Sequence, residues 1–267
     1  WYAHSVGPVR ARNAAEHLEV VALEVAQLAA ALVGEASESP SATGTKSSPT
    51  DVVTATDLQS ERLIRDELLS RCPGSTIVGE EFDDTPGTNT VGWVVDPLDG
   101  TVNFLYTIPV VSVSIAATLQ GVTVAGAVVD VVHGESFSAA LGHGARCNGH
   151  TMTARRPEAL ETALVGTGFS YDADRREQQS AILNRLLPAC RDIRCMGSAA
   201  LNLCWVAAGR LDAYYEHDTK PYDYAAGAII ASEAGASVEL PDDNGLGLTL
   251  GSSPPTFAAL RRIVVGP

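Results

Sequence analysis

Positive charge is what this chain has little of: 18 Lys and Arg stand against 32 Asp and Glu, leaving a formal net charge of −14 over 267 residues. Nonspecific nucleic-acid binding depends on clustered Lys and Arg that neutralise phosphates, so this balance argues against it and no direct nucleic-acid partner is expected. Cysteine is also sparse. The five thiols, Cys72, Cys147, Cys190, Cys195 and Cys204, are odd in number and show no Cys-x-x-Cys spacing, which favours buried reduced thiols over a disulfide framework or a zinc site. The histidines, His4, His17, His133, His143, His150 and His217, fall at no ligand spacing and read as structural or surface residues. No apolar run approaches the roughly 18 to 20 residues of a membrane span, and no basic segment precedes a short apolar one, so no membrane contact and a cytoplasmic address are expected. At 45% hydrophobic and 19% charged, the chain holds enough apolar surface for one large core or two closely packed subdomains. The chain opens on Trp1, and residues 1 to about 12 are set aside from fold reasoning.

What the chain does have is acid at chosen places. Glu80-Glu81 are followed by Asp96-Pro97-Leu98-Asp99-Gly100-Thr101-Val102-Asn103-Phe104, and Asp223 lies beyond them. Four acidic side chains gathered without His or Cys make an all-oxygen site, which suits hard Mg²⁺ and not zinc. Val91 to Asp96 is a short apolar run of β-formers, expected to be a buried strand that delivers Asp96 at its end. Pro97 fixes φ and lacks an N–H, and Gly100 permits a sharp reversal, so a turn is expected there. Such a turn lets Asp96, the Leu98 carbonyl and the Asp99 carboxylate face one point. An ordinary strand-end turn accounts for this segment equally well, because Asp-Pro and Asp-Gly are common turn dipeptides. The rest of the chain has to decide.

Asn13 to about Val33 reads as an amphipathic helix with Leu18, Val21, Val25, Leu28 and Leu32 near one face. Residues 34 to 50, rich in Ser, Thr, Gly and Pro, read as a loop of the length usually kept for function. Thr54 resembles an N-cap and Asp57 a third-position acid, opening a helix to Arg71. Strands follow near 75–79, 91–96, 110–119 and 122–132, with a hairpin at Gln120-Gly121. Thr162 to Phe169, Asp192 to Cys195 and Leu211 to Glu216 then read as strands, alternating with helices over Asp174 to Leu187, Ser198 to Ala208 and Asp223 to Ala234. There is no internal repeat. The expected fold class is α+β, one catalytic unit over 1–267, with an α+β half over 13–153 carrying the acidic motifs and an α/β half over 154–267. Asp57 and Asp223 both stand where a helix-capping acid is ordinary. Capping and a site role are compatible, because a capping carboxylate keeps lone pairs for a cation.

Lys46-Ser-Ser-Pro-Thr-Asp51-Val-Val-Thr54-Ala-Thr-Asp57, Gly79-Glu80-Glu81 and Asp96 to Phe104 appear in that order. Gly142-His-Gly-Ala-Arg-Cys-Asn148-Gly149, Gly197-Ser198-Ala199-Ala200 and Tyr222-Asp223-Tyr-Ala-Ala-Gly227 follow. In order and approximate spacing these motifs resemble the inositol monophosphatase family over nearly the whole chain. The resemblance implies a layered α-β-α-β-α sandwich of the inositol monophosphatase and fructose-1,6-bisphosphatase type. It implies a phosphomonoester hydrolase using two or three Mg²⁺, assembled as a homodimer and sensitive to Li⁺.

By the same resemblance Glu80, Asp96 and the Leu98 carbonyl would hold the ion that activates water. Asp96, Asp99 and Asp223 would hold the ion beside the leaving alkoxide. Thr101, hydrogen-bonded to Asp57, would orient the nucleophilic water, with Glu80 helping through a third, weaker metal; Glu81 ranks below Glu80. Asp99, Gly100 and Thr101 would touch the substrate, Gly197, Ser198 and Ala199 would bring it the unpaired N–H groups of a helix N-terminus, and Glu216 would contact its hydroxyls. Lys46 would lie near the metals. Tyr222 stands where the family usually has Trp, and Asp218 where it often has a small residue. Inositol 1-phosphate is the leading substrate, with fructose 1,6-bisphosphate and the 2′-phosphate of NADP as alternatives, because rim loops and not the metal core set the choice. Covalent aspartyl catalysis of the haloacid-dehalogenase type is disfavoured, since Asp96-Pro-Leu-Asp99 carries one residue too many between its acids. A regulatory protein acting in RNA metabolism on the same fold is the alternative of another class.

Overall fold

The computed structural model describes residues 8–37, 41–45, 52–241 and 245–266. Lys46 and the rest of the first motif through Asp51 lie outside the described residues. The chain folds as the expected α+β sandwich of five layers. The outer layer pairs α1 (Pro8–Ala36) with α2 (Ala55–Arg71). Beneath it lies a seven-stranded sheet whose order follows the sequence: β3 (Thr76–Gly79), β4 (Val91–Asp99), β5 (Ser112–Leu119), β6 (Val122–Asp130), β7 (Glu135–Ala140), β8 (Ala145–Cys147) and β9 (His150–Thr151). An antiparallel pair of β1 (Ala42–Thr45) and β2 (Val52–Thr54) precedes α2, and β1 falls within the segment 34–50 expected to be loop.

A short helix, α3 (Thr101–Leu105), follows β4 directly. The second half holds β10 (Leu164–Thr167), α4 (Ala173–Leu186), β11 (Asp192–Cys195), α5 (Ala199–Ala207), β12 (Ala213–His217), α6 (Pro221–Glu233), β13 (Ser237–Glu239), β14 (Leu248–Ser252) and α7 (Pro254–Val265). Its strands form a mixed sheet in the order β11-β10-β12-β14-β13. Helices α5 and α6 fill the middle layer between the two sheets, through Ala116, Val128 and Phe137 on one side and Tyr214 on the other. Helices α4 and α7 close the far face with Ile182, Leu186, Leu260 and Val264. The main helices and the central strands each bury an apolar face, and the stacking covers those faces.

Helix α1 shows how local pattern became packing. Leu18, Val21, Ala22, Val25, Ala26, Ala29 and Val33 are buried at helical spacing against the first sheet, with Trp93, Val95, Val113 and Ile115 opposite. The small alanines bring the helix close and turn the buried stripe towards themselves, so Leu28 ends 45% exposed, contrary to expectation, and Leu32 is only partly buried. Arg12–Ala36 is also long and apolar enough by length and composition to cross a membrane, which the sequence reading denied. Half of that stretch is buried inside the protein, as a core helix requires. The hairpin at Gln120-Gly121 forms as expected, both residues taking positive φ (53° and 79°) and so matching the twist of β5 and β6. Among the thiols only Cys204 is fully buried and Cys195 is exposed, so the expectation of buried cysteines holds for one of them.

Candidate functional site

Strand β4 does not end at Asp96. It continues to Asp99, with pairing to β5 interrupted between Asp96↔Ser114 and Asp99↔Ser112, so Pro97 and Leu98 form a bulge inside the strand. A residue without an N–H is tolerated there because the ladder is already broken. The bulge is pinned from both sides: Ser60 Oγ donates to the Pro97 carbonyl at 2.8 Å, and Leu98 N donates to Asp96 Oδ1 at 3.0 Å. The reversal comes at Gly100, at φ 100°, where a Cβ would lie 2.9 Å from the Val110 carbonyl. Glycine is therefore required twice over at this point.

Thr101 opens α3 under that turn. Its hydroxyl lies 3.0 Å from Asp57 Oδ1 and 3.2 Å from the Leu98 carbonyl. Asp57 is fully buried at the third position of α2, where its other oxygen accepts from Thr54 N at 2.8 Å and from the Thr54 hydroxyl. One carboxylate thus completes a capping box with Oδ2 and orients Thr101 with Oδ1. Four residues on, Glu61 is equally buried and holds the next motif: its Oε2 accepts from Glu81 N at 2.7 Å and its Oε1 from Phe82 N at 3.3 Å, while Arg65 pairs with it at 2.7 Å. Gly79 leaves the space Glu61 occupies, since a Cβ there would collide with Oε1. The sequence reading missed Glu61. Its only local signal was the i,i+4 pair with Arg65, which is ordinary on a helix.

Across the cleft, Asp99 meets the start of α5. Its Oδ2 accepts from Ser112 Oγ at 3.2 Å, Ser198 Oγ at 2.5 Å and Ala200 N at 2.9 Å, and its Oδ1 accepts from Ala199 N at 3.2 Å. The helix N-terminus expected to offer unpaired N–H groups therefore spends two of them on Asp99, because a carboxylate buried this deeply needs donors. Ser198 also caps α5 through Leu201 N. Gly197, at φ 78°, packs on Asn103, whose amide donates to Met196 O at 2.7 Å and Val110 O at 2.9 Å and so ties α3 to this turn. Asp223 is the third residue of α6 and not its N-cap; Lys220 N donates to its Oδ2 at 2.6 Å. Tyr222, its neighbour, accepts a long 3.4 Å bond from Ser114 Oγ at its carbonyl. Glu216, at the end of β12, accepts from the Tyr214 hydroxyl at 2.7 Å and lies where Gly168 has no side chain. Tyr214, like Ser112, had no sequence signal.

Electrostatics tie these pieces together. Asp96 is pushed well above the usual carboxylate range, first by burial and then by the charges of Glu80, Asp99 and Asp223. Asp223 is raised likewise by burial, against the bond from Lys220, with Glu80, Asp99 and Glu216 adding to it. Burial also raises Asp99, its four donors opposing. Glu216 is brought up to about 7 by burial, with the Tyr214 bond opposing and Asp99 and Asp218 adding. Among the described residues no Lys, Arg or His forms an ion pair with Asp96, Asp99 or Asp223.

The buried like charges of Asp96, Asp99 and Asp223, with no ion-pair partner among the described residues, fit a divalent metal, whose charge offsets both the repulsion and the desolvation. The donor set is all oxygen, as Mg²⁺ prefers. Among the described residues, however, no three Asp, Glu, His or Cys side chains are already drawn into a closed ligand cluster. The hydrogen bonds give the reason: Asp99 faces α5, and Asp96 and Asp223 each commit one oxygen to a nearby backbone N–H. A cavity of about 640 Å³ lined by Val110, Met196, Trp205, Arg210 and Leu211 contains none of these acids, so chemistry and not volume locates the site. Of the histidines, His133 pairs with Asp130 and His143 with Glu16, as structural residues do, and His217 is half-buried with Nδ1 unpartnered among the described residues.

A model of the inositol monophosphatase family matches residues 14–266. The chain belongs to that family. A Mycobacterium leprae protein named inositol-1-monophosphatase is 49% identical over 234 residues, covering 81% of this chain and 80% of the relative. An Escherichia coli relative named Nus factor SuhB is 37% identical over 221 residues, 82% of this chain and 83% of its own. The solved structure of Mycobacterium tuberculosis SuhB superposes with a TM-score of 0.80 at 44% identity, covering 93% of this chain and 97% of that one. The α-β-α-β-α layering is thus the family's own, and the family is one of metal-dependent phosphatases.

Proposed function

We propose that the protein hydrolyses inositol 1-phosphate to inositol and phosphate with two or three Mg²⁺ in its site. The observation that carries this reading is the Thr101 hydroxyl held 3.0 Å from buried Asp57, beside the buried carboxylates of Asp96, Asp99 and Asp223, which raise one another's pKa. In this reading Glu80, Asp96, the Leu98 carbonyl, Asp99 and Asp223 would hold Mg²⁺, and Asp99, Gly100, Thr101, Gly197, Ser198, Ala199 and Glu216 would bind the substrate. Thr101 donates its hydroxyl hydrogen bond to Asp57, so its lone pairs are free to accept a hydrogen bond from the attacking water and aim the water's oxygen at phosphorus. Asp57 has no freedom to turn away, because the Thr54 N–H and hydroxyl hold its second oxygen. Glu216, steadied by Tyr214, receives a hydroxyl of the polyol. When bound, the metal activates water, neutralises the phosphoryl oxygens and stabilises the leaving alkoxide.

The mycobacterial relative's name supports inositol 1-phosphate over the 2′-phosphate of NADP or fructose 1,6-bisphosphate. The test is phosphate release from all three esters with and without Mg²⁺; no Mg²⁺-dependent release from any of them ends the reading. We take the chain as one catalytic unit, a cytoplasmic homodimer, which size exclusion with mass detection and cell fractionation check. The name of the Escherichia coli relative, Nus factor SuhB, is compatible with a second reading, a regulatory role in RNA metabolism through contact with a protein partner. Pull-down from an extract with wild-type and Asp99→Asn protein separates the two roles, because a partner contact needs no metal ligand.

A further inference from the structure

The rim of the site carries an ion pair that fold stability does not explain. Arg175, in the first turn of α4, donates Nε to Asp218 Oδ2 at 2.6 Å and Nη2 to Asp218 Oδ1 at 3.1 Å, and its Nη1 donates to Gln178 Oε1 at 2.8 Å. All three guanidinium nitrogens are therefore engaged. Asp218 itself sits at φ 67°, in the left-handed region, with its N–H donated to the Gly247 carbonyl at 2.7 Å. An aspartate there is more strained than a glycine, and an exposed pair, with side chains 31% and 45% accessible, adds little to stability. Strain kept beside a functional residue points to a role in function. The pair is within electrostatic reach of the site: the Asp218 charge acts on Glu216, two residues away, and the Arg175 charge acts on His217 between them.

We propose that the Arg175–Asp218 pair is a specificity element: by holding the rim guanidinium in a neutral, bidentate pair beside Glu216, Asp218 makes the site selective for esters bearing one phosphate and against those bearing a second. The inference rests on the phosphatase reading above and on Glu216 contacting substrate. A free guanidinium is a bidentate phosphate receptor, whereas this one has its Nε–Nη2 edge taken by Asp218 and a further N–H given to Gln178, so a second phosphate meets a neutralised cation with a carboxylate already on its bidentate edge. Selectivity is thus built by denying the competing ligand a partner.

The experiment measures kcat and KM for inositol 1-phosphate and fructose 1,6-bisphosphate, with Mg²⁺, in the wild type, Asp218→Gly, Arg175→Gln and the double variant. Asp218→Gly is expected to raise the bisphosphate-to-monophosphate ratio of kcat/KM about tenfold, mainly through KM, with the monophosphate rate within about threefold of wild type. The double variant is expected to return to the wild-type ratio, because the gain needs the guanidinium. Glycine suits the positive φ, and Asp218→Asn, which also tolerates it, serves as a second variant if thermal unfolding shows Asp218→Gly to be weakened. An unchanged ratio in folded Asp218→Gly and Asp218→Asn overturns the proposal. So does an equal rise in the double variant, which would make the effect one of loop freedom, or a parallel fall for both esters, which would make the pair merely structural. A wild type that releases no phosphate from any ester overturns the phosphatase reading and this inference with it; a wild type that does, with an unmoved ratio, overturns the inference alone.

Discussion

Removing the Thr101 hydroxyl tests the chemistry most directly. In Thr101→Ala, Asp57 keeps its bonds from Thr54 N and the Thr54 hydroxyl and loses only the one from Thr101. A buried carboxylate left one donor short costs about 1 to 2 kcal/mol of stability, which an enzyme of this size tolerates. The catalytic loss is expected to be larger. Without the hydroxyl the attacking water has no acceptor that is itself held in place, and kcat should fall about 10² to 10³, equivalent to roughly 3 to 4 kcal/mol of transition-state stabilisation. KM should change little, because the lost interaction matters mainly in the transition state. Thr101→Ser keeps the oxygen and should stay within about tenfold of wild type, while Thr101→Val, which keeps the shape, should behave like Ala. The assay is steady-state phosphate release at saturating Mg²⁺, alongside urea unfolding of each variant. A changed KM with intact kcat would make Thr101 a binding residue and refute the water-orienting role.

Asp99→Asn and Asp223→Asn are each expected to lower kcat about 10² to 10⁴ at saturating Mg²⁺ while circular dichroism reports a folded chain; near-normal turnover in both would sink the ligand assignment. Glu216 has its folded pKa raised from 4.5 to about 7, so the stability it contributes is full below the unfolded value and is lost as pH rises through the folded one. Metal-free protein should therefore lose roughly 1 to 3 kcal/mol between about pH 4.5 and 7, the range reflecting some solvent screening of a mostly buried group. Asp96 and Asp223 are shifted in the same direction, so Glu216→Gln should flatten the urea midpoint's pH dependence only in part, and added Mg²⁺ should oppose it. Gly79→Ala puts a methyl against Glu61 and should displace the loop bearing Glu80, with activity down at least about tenfold and the unfolding midpoint lowered; an unaffected rate would mean that Glu80 is not held through Glu61. Li⁺ should inhibit uncompetitively with respect to substrate in a series at several Mg²⁺ levels, and indifference to Li⁺ where Na⁺ and K⁺ are also inert would mean that the second metal site is built differently.

Much of this was legible in the sequence where the cause is local. Gln120-Gly121 made a hairpin because two adjacent residues at positive φ set the strand twist by themselves. Thr54 and Asp57 made a capping box because both halves lie within one turn. The order of acidic motifs pointed to an oxygen-ligand site without any coordinates. Local pattern misled where a neighbour decided: Pro97 looked like the end of a strand, yet pairing resumes at Asp99↔Ser112 because β5 is there to receive it.

What only the tertiary structure decided is where each carboxylate spends its lone pairs. Asp99 and Ser198 are 99 residues apart, and their 2.5 Å bond exists because two sheets clamp α5 between them. Glu61 carried no signal beyond an ordinary i,i+4 spacing to Arg65, and burial made it the support of the Glu80 loop. Tyr214 and Ser112 carry no motif and reach the site only because β12 and β5 run beside it. Residue type and short-range spacing set which groups can do the chemistry, since both are written along the chain. Burial, and with it the raised carboxylate pKa values and the pressure to admit a cation, depends on which distant side chains arrive to displace water, and only the folded chain settles that.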